Sequence, residues 1–560
     1  MKRLPLILAV VAFAITFKLP LVAGKPGQGS ASFELVEATI EQLQGALQSN
    51  VVTSEQLVSM YHARMAAYED SGPHINAYIH VNANAASEAR QIDNLRRAGS
   101  ASGPLYGIPI LLKDNIDTAD MPTTAGSVAL AGSRPPDDAF IVQKLRKAGA
   151  IILGKGTLTE FANFIGTGMP TGYSSLGGFG FNPYDPRVDP RTNDGRPVLQ
   201  TGGSSSGPAV GVNANLTAIA IGTETSGSIL NPANANGIVG IKPTVGLVSR
   251  DGIIPITADQ DTAGPFARTV ADAAVVLGVI AGYDASDPAT RACLTPGNCF
   301  SDYTRFLDAD ALRGARIAVY SPATPLAANR RAVLDNAVEV LKSHGASVRT
   351  LAASDIPVQP SNCNSYPLPA VPPPPGVRCS SVLLYGFKRD LNAYLAATPG
   401  APRRTLTEIV AFNNTFVPPM KYGQAIAEAA AQVDISPGST DTRRYMDDRA
   451  FDLAVSRDVL NAIYTGPDGV KGTADDTDAI LALGNNFANA PAKAGFPSVT
   501  VPGGSIVADT NPPTNDPPIA GPFPQTVTFS GPAFSEPRLI GLAYAFEQAT
   551  KRRVPPPQFL

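Results

Sequence analysis

The chain has 560 residues, of which 44% are apolar and 16% charged, so it can bury a large core and is not an intrinsically disordered protein. Its formal net charge of −3 gives no long-range attraction for nucleic acid or for an anionic membrane. No block of Lys or Arg occurs along the sequence, and nucleic acid is therefore not an expected partner.

The N-terminal segment 1–24 has the composition of a secretory signal peptide. Lys2 and Arg3 precede an apolar run, 4–17, and small residues follow at 22–24. The apolar run is shorter than the roughly 20 residues that span a bilayer. We expect cleavage to leave a secreted or periplasmic protein without stable membrane insertion, and an uncleaved membrane anchor is the alternative.

Two helices are expected near the start of the chain. Apolar residues recur every three or four positions from Phe33 to Leu47, which is the period of one helix face. Thr53 and Gln56 have the spacing of a capping box and predict a second helix that begins there.

Further along, short apolar runs typical of strands alternate with helical patterns, one of them at 329–344. This alternation favours a largely parallel sheet that is covered by helices on both faces. The predicted strands are 107–112, 150–154, 216–222, 315–320 and 346–351.

The four cysteines form two close pairs in sequence, Cys293 with Cys299 and Cys363 with Cys379. Export to an oxidising compartment favours disulfides, and we expect these two local ones. Three pairings are possible for four cysteines, and free buried thiols are the alternative to any of them.

Three segments interrupt the pattern of strands and helices. The Pro-rich stretches 366–376 and 511–524 cannot continue a helix or a central strand, so we expect surface loops. The acidic segment 465–478 offers four carboxylates but lacks EF-hand spacing, so a solvated loop is expected rather than a calcium site. The carboxylates belong to Asp468, Asp475, Asp476 and Asp478.

Two Gly/Ser segments, QTGGSSSG (200–207) and GTETSGSILNPA (222–233), flank the strand predicted at 216–222. A flexible linker would show a shift in composition, whereas these segments continue into apolar, core-forming sequence. Loops at the carboxyl ends of strands are where open α/β sheets bind ligands. Lys113 follows the strand predicted at 107–112, so two serine-rich loops and a lysine can converge on one sheet edge.

The histidines argue against a Ser-His-Asp triad, because none of the four lies in these segments and no G-x-S-x-G elbow is present. They are His62, His74, His80 and His344. The cysteine pairs have no neighbouring histidines that would give a zinc-binding spacing. A serine nucleophile with a lysine base is the economical interpretation.

The segments KDNID, TGGSSSG, GTETSGSI and GIKPTVGLVSRDGIIP resemble the amidase signature family, over about 33–560 of the chain. QDTAGPFARTVADAA (260–274) and SGPAFSEPRLIGLAYAFEQATK (530–551) resemble the bacterial peptide amidases most. The resemblance implies an α/β/α sandwich with a large mixed central sheet covered by helices. It implies one domain over 25–560, with a signature core at about 107–275 and a variable substrate-pocket region at about 360–480.

The family's Ser-Ser-Lys triad falls on Ser228 as nucleophile, Ser204 as bridging serine and Lys113 as base. The resemblance also implies a cis peptide bond before Ser204. Lysine acts as a base only when neutral, so Lys113 should be buried where desolvation disfavours its ammonium form. We expect Ser205 to help orient this lysine.

An oxyanion formed by attack of the nucleophile would be stabilised by the backbone N–H groups of Thr225, Ser226 and Gly227. The family implies no cofactor and no metal ion, and we expect a monomer. The implied reaction is hydrolysis of a carboxamide through an acyl-enzyme, with C-terminally amidated peptides as the expected substrates. Aryl or fatty acyl amides are the alternative substrates, and a non-catalytic or amidotransferase-type subunit is the alternative from another class.

Two departures from the family pattern concern the substrate. Ser226-Gly227 stands where many relatives have Gly-Gly and peptide amidases have Asp-Gly. Leu230 replaces an arginine of many relatives, which weakens any analogy to enzymes that bind a carboxylate or a glutamyl-tRNA. The segment 185–197 is expected to be a turn-rich insertion near the entrance.

Overall fold

The computed structural model describes residues 33–100, 103–370, 379–415, 420–470, 472–506 and 521–560. The predicted signal peptide, 1–24, lies outside these residues. So do 371–376 of the first Pro-rich stretch and 511–520 of the second.

An 11-stranded mixed sheet forms the centre of the described structure, in the order β1-β3-β2-β6-β8-β7-β12-β13-β11-β9-β10, and β4 and β5 form a small hairpin beside it. The strands are β1 Tyr78–Val81, β2 Pro109–Lys113, β3 Ile151–Gly156, β4 Tyr173–Ser174, β5 Gly178–Phe179, β6 Ile219–Glu224, β7 Val239–Lys242, β8 Thr262–Ala267, β9 Arg316–Ser321, β10 Ser347–Ala352, β11 Ala479–Leu483, β12 Ser498–Ile506 and β13 Phe523–Ser530.

Some helices pack against this sheet, and others, which precede β11 in the chain, form a separate group. They are α1 Ile40–Gln48, α2 Ser54–Met65, α3 Ala85–Arg97, α4 Phe140–Lys147, the single turn α5 Glu160–Asn163, α6 Ser206–Asn213, α7 Leu230–Asn236, α8 Val270–Ile280, α9 Ala328–Ser343, α10 Val382–Ala397, α11 Leu406–Thr415, α12 Ala425–Gln432, α13 Thr440–Leu453, α14 Val459–Thr465, α15 Asn489–Ala494 and α16 Glu536–Thr550.

The large mixed sheet confirms the fold that the family resemblance implies. The expectation of a largely parallel sheet is wrong, because the pairs β6-β8, β8-β7, β7-β12, β12-β13 and β13-β11 are all antiparallel. Parallel pairing is confined to two groups, β3-β2-β6 and β11-β9-β10. The five predicted strands are all present, as β2, β3, β6, β9 and β10.

The predicted helix at 329–344 is α9, and the capping box of Thr53 with Gln56 starts α2 as expected. The prediction of a helix from Phe33 is wrong by about two turns, since α1 begins only at Ile40. Thr39 and Gln42 form a capping box of their own, which fixes the helix start at that point.

Helices α10 to α13 enclose a second apolar core with the segment around Phe161 and Phe164. Both phenyl rings meet Phe387 of α10 edge to face, at centroid distances of 5.7 and 5.4 Å. This helical unit falls within the region 360–480 that the sequence analysis assigns to the substrate pocket.

The two expected disulfides are present. Cys293 is bonded to Cys299, and Cys363 to Cys379, which leaves no free cysteine in the chain. The second disulfide lies just before α10 and ties the chain that enters the helical unit. Among the described residues, no helix is long and apolar enough to cross a bilayer.

The prediction of a surface loop over 511–524 is wrong at its end, because Phe523 and Pro524 begin β13 in the middle of the sheet. Pro524 is tolerated there because it stands at the start of the strand, next to a register irregularity in β12 between Pro502 and Gly504.

Carboxylates of the acidic segment accept hydrogen bonds from other residues of the chain. Asp478 accepts hydrogen bonds from the N–H and the guanidinium of Arg316, and Asp476 accepts from the Gly472 N–H at 2.6 Å. Asp475 accepts from the Thr473 hydroxyl at 2.6 Å. In the described part of the chain no group of three or more acidic, His or Cys side chains is arranged to hold a metal ion.

The predicted insertion at 185–197 is rich in turns, and three Asp-x-Arg ion pairs stabilise them. The pairs are Asp185–Arg187, Asp189–Arg191 and Asp194–Arg196, with N–O distances of 2.6 to 2.8 Å. The Tyr422 hydroxyl, from the segment before α12, donates to Asp194 at 2.6 Å.

Candidate active site

Lys113 is the last residue of β2, a strand whose five residues are all buried between β3 and β6. Its side chain is fully buried, and this burial lowers the pKa of the amine from 10.5 to about 7. The carboxylates of Asp261 and Glu224 act in the opposite direction but do not cancel the cost of burying the charge. Near neutral pH the amine is therefore substantially deprotonated.

Three oxygens surround the Lys113 Nζ. The Ser204 Oγ lies at 2.8 Å, the Thr223 Oγ1 at 2.9 Å and the Thr223 carbonyl oxygen at 3.3 Å. A neutral amine has two N–H bonds and one lone pair, so two contacts can accept from it and the third can donate to it. With both N–H bonds directed to Thr223, the lone pair can accept the proton of the Ser204 hydroxyl.

Thr223 is a member of this site that the sequence analysis did not identify. It belongs to β6, and its hydroxyl also accepts from the Asn115 Nδ2 at 3.1 Å. Asn115 in turn donates to the Ile254 carbonyl at 3.3 Å. The available signal was a polar residue directly after the apolar run 216–222, two positions before the turn 225–227.

The loop 200–207 is ordered and packed. Ser204, Ser205 and Ser206 are fully buried, and the Gly203–Ser204 peptide bond is cis, as the family resemblance implies. The Gly203 N–H donates to the Asn231 side chain of α7 at 2.9 Å. Gly202 has a φ of +69°, and a Cβ there would lie 2.6 Å from the Pro232 Cα, so only glycine fits.

The two Gly/Ser loops meet in the structure. The Ser205 N–H donates to the Ser228 carbonyl oxygen at 3.3 Å, which brings the first loop against the turn that precedes α7. The Ser228 side chain makes no hydrogen bond to another described residue, and the residue retains 7% of its surface. Its hydroxyl is therefore not committed to a structural partner.

Ser205 does not contact the lysine directly. Its hydroxyl donates to the Thr223 carbonyl at 3.0 Å and accepts from the Thr223 N–H at 3.2 Å. Ser205 and Lys113 are linked through Thr223, to which both side chains form hydrogen bonds.

The turn 225–227 is shaped by the carboxylate of Glu224. One oxygen accepts from the Gly227 N–H at 2.7 Å, and the other accepts from the Ile229 and Leu230 N–H groups at the start of α7. The Gly227 N–H, expected as an oxyanion donor, is thus already engaged. The N–H groups of Thr225 and Ser226 make no hydrogen bond to another described residue.

The two positions that depart from the family pattern lie close to this turn. The Ser226 hydroxyl donates to the Asn489 side chain at 2.8 Å, so the turn is linked to the start of α15. Leu230 is buried in the first turn of α7, with 1% of its surface exposed.

None of the four histidines, all of which the structure describes, donates to or accepts from Lys113, Ser204 or Ser228. His74 and His344 contact main-chain carbonyls of their own segments through Nδ1. The basic side chain within hydrogen-bonding distance of a serine at this site is therefore a lysine amine, and not an imidazole.

The chain is similar to known amidases over most of its length. The model of the Amidase family matches residues 56–367. A probable amidase from Arabidopsis thaliana is 35% identical over 534 residues, which cover 94% of this chain and 93% of that relative. One subunit of the glutamyl-tRNA(Gln) amidotransferase from Chloroflexus aurantiacus is 42% identical over 287 residues, covering 51% of this chain and 54% of that relative.

Among solved structures, the native peptide amidase from Stenotrophomonas maltophilia superimposes with a TM-score of 0.76 at 38% sequence identity. The match covers 94% of this chain and 99% of that enzyme. The similarity therefore extends well beyond the segments that carry the signature.

Proposed function

Because this chain belongs to the amidase signature family and is an amidase that hydrolyses C–N amide bonds, we propose that Ser228 is its nucleophile. Ser204 relays the proton and Lys113 is the base. The observation that carries this proposal is the buried Lys113 amine, with its lowered pKa, at 2.8 Å from the Ser204 hydroxyl.

The reaction begins with attack of the Ser228 Oγ on the substrate carbonyl carbon. Serine needs a neighbouring base to become a good nucleophile. Its proton passes to the Ser204 Oγ while the Ser204 proton passes to the neutral Lys113 Nζ, which becomes an ammonium. Thr223 holds the amine in place throughout, since both of its oxygens accept from it.

The oxyanion that forms on the substrate is stabilised by the turn 225–227. The N–H groups of Thr225 and Ser226 supply the first two hydrogen bonds. The Gly227 N–H contributes a third if it exchanges the Glu224 carboxylate for the oxyanion. One such donor is worth on the order of 10²-fold to 10³-fold in kcat, so the geometry of this turn controls the rate.

Collapse of the tetrahedral intermediate breaks the C–N bond and leaves an ester on Ser228. The ammonium of Lys113 returns its proton through Ser204 to the leaving nitrogen, so ammonia or an amine departs. A water molecule then attacks the ester, its proton follows the same route, and the carboxylic acid leaves. Lysine and both serines are restored, and no cofactor takes part in any step.

The proposed substrates are peptides with a C-terminal carboxamide. The similarity to the Stenotrophomonas peptide amidase over nearly the whole of both chains supports this class. The amidotransferase relative matches only about half of this chain. Leu230, which is apolar and buried in the first turn of α7, offers no cation there for a carboxylate-bearing substrate.

We further propose that the protein is exported and acts as a monomer. Two disulfides, which form and persist in oxidising compartments, support export together with the composition of residues 1–24.

Ammonia release tests the substrate class. The purified protein is incubated with amidated dipeptides, fatty acid amides and aryl amides of matched solubility, and kcat/KM is compared. We expect the amidated dipeptides to be preferred by at least about tenfold, a difference of about 1.4 kcal/mol in transition-state binding. Preference for fatty acyl or aryl amides would retain the chemistry and refute the peptide assignment, and the absence of any turnover would refute both.

A further inference from the structure

Asp261 is a buried carboxylate that lies directly across the sheet from the turn 225–227. It precedes β8, whose first residue, Thr262, pairs with Glu224 at the end of β6. The residue after Glu224 is Thr225. The antiparallel pairing of β6 with β8 therefore places Asp261 opposite Thr225.

The contacts of Asp261 divide between its two oxygens. Its Oδ1 accepts from the Thr225 hydroxyl at 2.5 Å. Its Oδ2 accepts from the Ile256 N–H at 2.8 Å and the Thr257 N–H at 2.9 Å. Hydrogen bonds to a charged group are about twice as strong as neutral ones, so this carboxylate fixes the Thr225 side chain relative to the loop 256–261.

The neighbouring residue fixes the main chain of the same turn. The Gln260 Nε2 donates to the Thr225 carbonyl oxygen at 3.3 Å. A trans peptide is planar, with its C=O and N–H pointing in opposite directions. Holding the Thr225 carbonyl therefore directs the Ser226 N–H away from Gln260. The adjacent pair, Gln260 and Asp261, thus sets the orientation of one of the two N–H groups that remain available.

The loop 256–261 is itself braced by the helical unit. Asp259 accepts from the Tyr445 hydroxyl of α13 at 2.9 Å and forms ion pairs with Arg389 of α10 and Arg449 of α13. The Asp390 carboxylate of α10 accepts from the Ala258 N–H at 2.7 Å. The loop that carries Asp261 is therefore held by several contacts to the helical unit. A precisely placed oxyanion donor requires such a support.

We infer that Asp261 is a positioning residue of the oxyanion turn, which acts by holding the Thr225 side chain through its Oδ1. This inference rests on the proposed function, because it assumes that the Thr225 and Ser226 N–H groups stabilise the oxyanion formed by Ser228. Asp261 makes no hydrogen bond to Ser228; it acts on the geometry of the turn through Thr225, and its charge also opposes the lowering of the Lys113 pKa.

The test replaces the Thr225 hydroxyl without changing the side-chain shape. In Thr225→Val we expect kcat on an amidated dipeptide to fall about tenfold or more, with KM changed less than about threefold. The reason is that the orientation of the N–H groups of the turn matters only in the transition state. Thr225→Ser, which keeps the hydroxyl, should recover most of the rate. Thr262→Val is the matched control, since the buried Thr262 hydroxyl has no partner among the described residues.

A double-mutant cycle with Asp261→Asn separates positioning from a general structural role. If Asp261 acts through Thr225, Asp261→Asn should lower kcat less in the Thr225→Val background than in the native protein. Equal effects of Asp261→Asn in both backgrounds, or a native kcat in Thr225→Val, would overturn the inference. Thermal unfolding of each variant identifies any loss that comes from unfolding.

The Ser228→Ala variant keeps the two claims distinguishable in the same assay. Loss of turnover in Ser228→Ala with native kcat in Thr225→Val refutes the positioning role alone. Native turnover in Ser228→Ala refutes the proposed function on which the inference rests.

Discussion

Replacing Lys113 by methionine should abolish amide hydrolysis and also change how stability depends on pH. Methionine has nearly the length of lysine and no charge, so it fits the buried position at the end of β2. The loss of activity follows from the loss of the base. The change in stability is the more informative result, because it reports the protonation state of the lysine in the folded protein directly.

The magnitude follows from the pKa of Lys113, which burial lowers from 10.5 in its ordinary environment to about 7. Between these values the unfolded chain carries the proton and the folded protein does not, so the stability of the native protein rises with pH. One proton corresponds to about 1.4 kcal/mol per pH unit. From about pH 7.5 to about pH 9.5, the free energy of unfolding of the native protein should therefore rise by about 2.5 kcal/mol relative to Lys113→Met.

Urea unfolding at several pH values measures this difference, followed by circular dichroism because the chain contains no tryptophan. Lys342→Met is the control, since Lys342 is an exposed residue of α9 that only pairs with Glu339. The difference in free energy of unfolding between the native protein and Lys342→Met should not change with pH. The free energy of unfolding of the native protein relative to Lys113→Met could instead stay constant over this pH range. That result would show that Lys113 is not neutral when folded, and would refute its role as base.

Three further outcomes are expected. Because Lys113 is active when neutral, kcat/KM should rise with pH through about 7, and a flat profile from about pH 5.5 to 8.5 would count against it. Replacing both Cys363 and Cys379 by serine should lower the unfolding free energy by about 3 kcal/mol, as measured by urea unfolding, since their disulfide links residues 16 positions apart. An unchanged midpoint would refute this. Each histidine should be replaceable by glutamine with kcat retained within about threefold, and loss of activity in a folded variant would reinstate a histidine base. The positions are His62, His74, His80 and His344.

The local chemistry of the site was readable in the sequence because it lies in short segments. Lys113 ends an apolar run, and the Gly/Ser loops flank another, so the neighbouring residues in the chain were enough to place each element at one sheet edge. The capping box at Thr53 was predictable for the same reason, since it involves residues three apart. The start of the first helix was not predictable in this way, because the helical periodicity from Phe33 includes a segment that the Thr39 cap excludes from the helix.

Contacts between distant segments were not predictable from local patterns. Thr223 lies in the second Gly/Ser segment, and nothing in the sequence pattern connected it with Lys113 until β6 was placed beside β2, where it meets the lysine. Asp261 meets Thr225 only because β8 runs antiparallel to β6, and the alternation of strands and helices favoured parallel neighbours. The commitment of the Gly227 N–H to Glu224 depends on side-chain geometry that a motif does not specify.

The most direct test of the Ser-Ser-Lys assignment measures ammonia release from an amidated dipeptide by the native protein and by Ser228→Ala. Ser206→Ala serves as the control, because Ser206 is a buried serine of the same site region whose hydroxyl bonds, among the described residues, only to the Thr157 carbonyl, at 3.4 Å. We predict that Ser228→Ala remains folded and loses at least about 10⁴-fold in kcat, while Ser206→Ala keeps a rate close to native. A folded Ser228→Ala variant with a rate near that of the native protein would contradict the assignment of the nucleophile and the mechanism built on it.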